Sequence, residues 1–321
     1  MNKLLHTLVV LGFLCPSICG QNTLAFTSIP SKHFSVSVDK QAKLLKHFDL
    51  LGGLILLNGS EDNDKKEYIL DTGAPTLILN KAIKSKFRNI GKGISGSISV
   101  EEMEVNNFCF ANENRNNIQA LSMDLSHIEK VKKHKIGGLI GFDLIATKEL
   151  FVDYPNQKIG FLTKVEKLEL DEYQLVHSLP FKMIDHFPVV LAKINGVKVN
   201  LALDTGAEVN VMDKKILKKL KKTGIEIIEK KKLQGTDKKT ASGVKLSVDE
   251  LSIGTLVENF NEFTAIKMSK LTHEGVENID GLLGYNFLKD KIISINFKTQ
   301  RLYIYKHLNA DKDGEDVVFR N

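Results

Sequence analysis

Two aspartates stand in the same surroundings at widely separated points of the chain. Asp71 closes the apolar run Tyr68-Ile69-Leu70 and is followed by Thr72-Gly73-Ala74. Asp204 closes Leu201-Ala202-Leu203 and is followed by Thr205-Gly206-Ala207. A carboxylate at the end of a buried strand must find donors or a partner charge, because an unpaired buried charge is expensive. What two such groups could do depends on whether the fold brings them together. Within hydrogen-bonding distance they cannot both ionise cheaply, so the pair holds one shared proton over a window of pH. The charged member can then take a proton from a water, while the protonated member hydrogen-bonds an oxygen on which charge develops. That is general acid–base chemistry with no covalent intermediate.

The elements around the two aspartates also repeat. Pro188 to Ile194 runs into Asn195-Gly196, and Val197 to Asn200 leads back towards Asp204, which reads as a hairpin. The first copy has Leu54 to Leu57, then Asn58-Gly59, with a polar insertion from Ser60 to Glu67 before its aspartate strand. A helix with an Asn or Asp cap is expected after each turn. Asn80 precedes Ala82, Ile83 and Phe87, and Asp213 precedes Ile216, Leu217 and Leu220. Further on, Gly138-Leu139-Ile140-Gly141 matches Gly281-Leu282-Leu283-Gly284, and each is followed by strand, turn and strand. The whole order occurs twice, so the chain carries an internal duplication.

At these residues the chain resembles the aspartic peptidases, in particular the retropepsin-like branch with Asp-Thr-Gly-Ala, carried here as a fused tandem. The resemblance runs from about Gly52 to Tyr305, and two Asp-Thr-Gly-Ala copies with two matching apolar-apolar-Gly segments make it specific. It implies a mainly β, bilobal aspartic-peptidase fold, with two related barrel-like lobes and a central cleft. Asp71 and Asp204 are then the catalytic pair at the cleft floor. Thr72 and Thr205 would tie the two loops through their hydroxyls, Gly73 and Gly206 would permit close backbone approach, and Ala74 and Ala207 complete the loops. Leu139, Ile140 and Gly141, with Leu282, Leu283 and Gly284, would cross behind the loops and brace them. The activity implied is aspartic endopeptidase, with an extended peptide or protein as substrate and no cofactor. The competing reading is a non-catalytic module that holds a peptide on the same fold, since fold does not imply function.

Viral-type members of the family pair two identical chains, each giving one acid. This chain carries both acids, so a monomer is expected. Pepsin-like members carry Ser or Thr after Asp-Thr-Gly, where a hydroxyl can donate to the carboxylate. Ala74 and Ala207 cannot, which points to a less acidic working range. Gly91 to Ser97 and Gly235 to Gly243 lie where the family carries a substrate-covering hairpin; they suit either flaps or plain surface turns. Neither has the tyrosine of the pepsin-like flap. The copies differ in two respects: Pro75 follows the first Asp-Thr-Gly-Ala, and Asp204 to Gly284 is ten residues longer than Asp71 to Gly141.

The remaining sequence sets the frame. Residues 1–20 show the three-part pattern of a secretory signal peptide: Lys3, the apolar Leu8 to Leu14, then Pro16 and small residues, with cleavage near Cys19 or Gly20. The apolar stretch is too short to span a bilayer, so an exported protein, periplasmic or secreted and without stable membrane insertion, is expected. A lipid anchor on Cys19 is a minor alternative, because Ile18 stands where a small residue is usual. Of three cysteines only Cys109 would remain, with no disulfide partner, and its place between Phe108 and Phe110 reads as a buried strand thiol. The net charge of +6 becomes +5 without Lys3. The lysines at 214, 215, 218, 219, 221 and 222 could meet nucleic acid or an anionic surface, but a solvated helix face is the favoured reading, with no nucleic-acid partner. The histidines show no metal-ligand spacing, and the start of a calcium-type loop at Asp311 to Gly314 lacks its closing acid, so no metal is implied. The expected organisation is an N-terminal segment over 21–50, lobe one over 51–163, a linker over 164–179, lobe two over 180–306 and a polar tail over 307–321.

Overall fold

The strand that ends at Asp204 is one arm of a hairpin. Its partner is Phe187–Ile194, and the turn is Asn195-Gly196 with φ of 45° and 79°. Positive φ at both turn residues gives the twist that right-handed strands need. The computed structural model describes residues 8–10, 13–14, 44–82, 89–93, 96–163, 171–220, 224–235, 240–268 and 279–308. In the first copy Leu54–Glu61 pairs with Asp64–Leu70, but the turn is Asp62-Asn63, with φ of 45° and 74°. Asn58-Gly59 lies inside the first arm, opposite Glu67 and Lys66. The polar stretch therefore lengthens the hairpin instead of interrupting it. Asp and Asn tolerate the left-handed region better than other side chains, so either dipeptide could turn the chain. The partner strand decides which one does.

Each aspartate strand lies parallel to its apolar-apolar-Gly segment. Leu70 is opposite Ile140, and Leu203 is opposite Leu283. Those segments run antiparallel to Ile78–Asn80 and Val211–Asp213. A long hairpin follows in each copy, Gly96–Phe110 with Glu113–Met123 and Thr240–Ile253 with Leu256–Ile266. Its first strand also pairs with the outer arm of the aspartate hairpin, which curls each nine-stranded sheet towards a barrel. Short N-terminal strands, Leu8–Val10 and Phe13–Leu14, lie at one edge of the second and first sheets respectively. The fold is mainly β, that of an aspartic-peptidase-like protein.

A third, six-stranded sheet joins the lobes. Its centre pairs Glu149–Asp153 of the first copy with Ile292–Asn296 of the second, antiparallel. Tyr173–Pro180 is one edge, against Arg301–His307, so the second half of the expected linker is a strand. Its first half, 164–170, lies outside the described residues. Lys46–His47 forms the other edge and gives the N-terminal segment its contact with the lobe junction. The largest apolar cluster passes from lobe to lobe over this sheet, and each lobe adds an inner cluster behind its own Asp-Thr-Gly-Ala loop.

Local expectations fare unevenly. Lys214–Leu220 is a helix with Ile216, Leu217 and Leu220 buried and Lys215, Lys218 and Lys219 exposed, and Asp213 Oδ1 accepts the Lys215 N–H at 2.9 Å. The helix expected after Asn80 rests on Ile83 and Phe87, which lie outside the described residues, as do the leader cleavage site and most of the C-terminal tail. Cys109 is in a strand, but only partly buried. Strand side chains alternate, so burying Phe108 and Phe110 turns the thiol to the opposite face. Among the described residues no helix is long and apolar enough to cross a membrane.

Candidate active site

Parallel pairing with the bracing segments continues past the end of each aspartate strand. The Asp71 N–H donates to Ile140 O and the Asp204 N–H to Leu283 O, both at 3.0 Å. The bracing chain then crosses beneath each loop, where Phe142 N–H donates to Ala74 O and Tyr285 N–H to Ala207 O. Gly284 fits there because it has no side chain. A Cβ on it would stand 2.4 Å from Ala207 O and 2.6 Å from Val209 O, and one on Gly141 would stand 2.2 Å from Thr76 O. These are backbone atoms of the aspartate loops and cannot swing aside. Gly284→Ala is therefore expected to cost about 1–3 kcal/mol of stability, an overpacking cost. A fall in urea midpoint at constant slope checks it; an unchanged midpoint would mean that the brace is not tight.

The two loops meet across the lobe boundary and are knotted together by their threonines. The Thr72 hydroxyl donates to Leu203 O (3.1 Å) and accepts from the Thr205 N–H (3.1 Å). The Thr205 hydroxyl donates to Leu70 O (3.0 Å) and accepts from the Thr72 N–H (3.1 Å). All four bonds are buried and related by the duplication. The glycines allow the carboxyls to approach the opposite loop: a Cβ on Gly206 would stand 2.4 Å from Asp71 Oδ1, and one on Gly73 would stand 3.0 Å from Asp204 Cγ.

Asp71 and Asp204 are each fully buried. In each, Oδ1 accepts the N–H of the residue two along, Gly73 or Gly206, at 2.8 Å. Oδ2 of each has no hydrogen-bond partner of its own among the described residues. Burial pushes the Asp71 carboxyl well above the ordinary carboxylate range, and the Asp204 charge pushes it further, against the pull of the Gly73 and Ala74 N–H groups. Burial also raises Asp204, to about 6, with the Gly206 N–H pulling the other way. Desolvation outweighs the donors on both sides. Ala74 and Ala207 bring no hydroxyl to offset it; their methyl groups are packed into the inner apolar clusters.

Sequence reasoning missed the polar groups that surround this pair. His186, in the turn before Phe187–Ile194, reaches the other lobe, where Nε2 lies 2.9 Å from Gly73 O. Lys132, at the end of the helix Ser126–Lys132, forms a nearly buried ion pair with Glu208, which takes the place of Pro75 in the second copy. Asn210 braces the second copy by accepting the Gly284 N–H at 3.1 Å and donating to Glu262 O at 3.1 Å; Leu77 stands there in the first. Only the mismatch between Pro75 and Glu208 was visible as a signal. The candidate flaps are the tips of long hairpins, with residues 94–95 and 236–239 outside the described residues.

Residues 190–287 match a family model described as aspartyl protease. The match supports an aspartyl protease of the retropepsin-like kind. The matched aspartyl-protease stretch begins within the hairpin that leads to Asp204 and ends in the bracing helix Tyr285–Leu288. No curated protein matches the chain.

Proposed function

We propose that the chain is an aspartic endopeptidase that hydrolyses peptide bonds with a water activated between Asp71 and Asp204. The observation that carries this reading is the juxtaposition of two fully buried carboxyls, each lying against the glycine of the opposite loop and each with one oxygen held by its own loop's glycine N–H. Two such groups hold one proton between them. The ionised carboxyl takes a proton from water, the water attacks the peptide carbonyl, and the protonated carboxyl hydrogen-bonds the carbonyl oxygen as it gains charge. The proton taken from water then passes to the leaving amine. One chain supplies both acids, so one molecule makes a complete site. The leader pattern supports a location outside the cytoplasm, and the proposed lobes run over 51–163 and 180–306. The test is to incubate the purified protein with a diverse peptide pool and sequence the products. Defined internal cuts are expected, and a protein that retains peptides uncut across the pH range would refute the reading.

Activity needs the singly protonated pair. Both carboxyls are raised, Asp204 to about 6, so the pair keeps its shared proton into the mildly acid range. The bell-shaped profile of kcat/KM should therefore be centred at mildly acid to near-neutral pH. Ala74→Ser and Ala207→Ser add donors to the charged form and should move both limbs to lower pH. A strongly acid optimum in the parent, or limbs unmoved by the serines, would overturn this account of the alanines.

A further inference from the structure

His186 enters the site from the other lobe and has no part in the proton chemistry described above. A carbonyl oxygen only accepts, so at 2.9 Å from Gly73 O the Nε2 atom of His186 must carry a proton and donate it. The same Gly73 donates its N–H to Asp71 Oδ1 at 2.8 Å. A lobe-two side chain thus holds the carbonyl of the residue whose N–H holds the lobe-one carboxyl. The ring is only 8% exposed, stacks on Phe187 at 4.1 Å between centroids and lies 6.5 Å from the Phe142 ring. The duplication supplies no counterpart. The turn Asp185-His186, with Ile184 opposite Phe187, corresponds to Gly52-Gly53, with Leu51 opposite Leu54. Gly53 has a φ of 99°, and a Cβ there would stand 2.6 Å from the Tyr285 ring, so lobe one has no room for such a donor.

We propose that His186 is a positioning residue for the Asp71 loop, setting the orientation of the Gly73 backbone and through it the Asp71 carboxyl. This rests on the dyad reading above. The asymmetry makes the two carboxyls unlike in their support: the Asp71 loop is held by a side chain of the other lobe, and among the described residues the Asp204 loop has no equivalent donor at Gly53. Misplacing a reacting group by about 1 Å can cost on the order of 100-fold in rate. The loss of a loop anchor should therefore fall on kcat, with KM little changed.

The test compares His186→Leu, which removes the donor, with His186→Gln, whose Nε2 can donate from a similar reach, in the full chain. The leucine variant should lose about 10- to 100-fold in kcat, and the glutamine variant should recover most of it. Carbon-13 titration of the aspartate carboxyls, run without substrate, should show the titration of the pair displaced in the leucine variant and restored in the glutamine variant. Nitrogen-15 spectra of the parent should place a proton on His186 Nε2, a reading that needs no variant to fold. A proton on Nδ1 alone, a leucine variant with parental kcat and titration, or equal damage in both variants would overturn the proposal. In the last case the ring packing, and not the donated bond, would be what matters. Parent carboxyls that titrate as two independent ordinary acids would sink the dyad reading itself, and this inference with it.

Discussion

Asp71→Asn and Asp204→Asn are each expected to reduce peptide cleavage by about 10²–10⁴-fold or more, the span attributed to general acid–base groups. On the proposed mechanism each variant removes one half of a shared-proton system, so the double variant should be scarcely worse than either single one. The same substitutions should act on stability in the opposite sense. Both carboxyls titrate higher in the folded chain than an ordinary aspartate does, and burial is the main cause. A raised carboxyl favours the fold while it is protonated. Its contribution is complete below the unfolded value of about 3.9 and is lost as pH rises through the folded value, about 6 for Asp204. An asparagine is neutral throughout and escapes that loss. Thermal unfolding should therefore show the Asn variants more stable than the parent at pH 7 to 8, with the gap closing below about pH 4. A folded Asn variant with near-normal turnover would sink the two-lobe mechanism. Equal stability at neutral pH would mean that the carboxyls are not buried together.

Thr72→Val and Thr205→Val should have the next largest effect. Each removes the donor to one buried carbonyl (Leu203 O or Leu70 O) and the acceptor of one buried N–H (Thr205 or Thr72). Each orphaned group costs about 1–3 kcal/mol, and each variant creates two of them. Against a typical total stability of about 5–15 kcal/mol, one substitution brings the fold close to its limit. The bonds also set how the carboxyls face each other, so kcat should fall in whatever fraction remains folded. Serine keeps the hydroxyl, and Thr72→Ser and Thr205→Ser should recover much of both losses. Urea unfolding paired with steady-state kinetics checks this. Valine variants within about 0.5 kcal/mol of the parent and fully active would show that the threonines do not hold the lobes.

The duplication, the hairpins on either side of Asp204 and the bracing segments were legible in the sequence because each rests on local pattern. Apolar runs, turn dipeptides and repeated order follow from the period of a strand and the stereochemistry of a turn. The helix after Asp213 was legible for the same reason: one apolar stripe at helical spacing and one capping acid describe it. The first hairpin was not, because Asn58-Gly59 and Asp62-Asn63 are both able to turn, and only the length of the partner strand selects the second. Cys109 was misjudged because composition was weighed and alternation was not. What no local pattern contains is contact between the copies. The loops of Asp71 and Asp204 meet where the threonines cross between the copies, and Glu149–Asp153 pairs with Ile292–Asn296 to join the same two copies. The donor at His186 and the ion pair of Lys132 with Glu208 arise at the same boundary. Neither obeys the repeat, since each fills space that its counterpart, Gly53 or Pro75, leaves to other groups. The sequence by itself determined two similar lobes, each with an acid at the end of a buried strand. Tertiary structure alone decided that each carboxyl lies against the glycine of the opposite loop, and that unlike groups surround the two loops, because those contacts join residues that the chain keeps far apart.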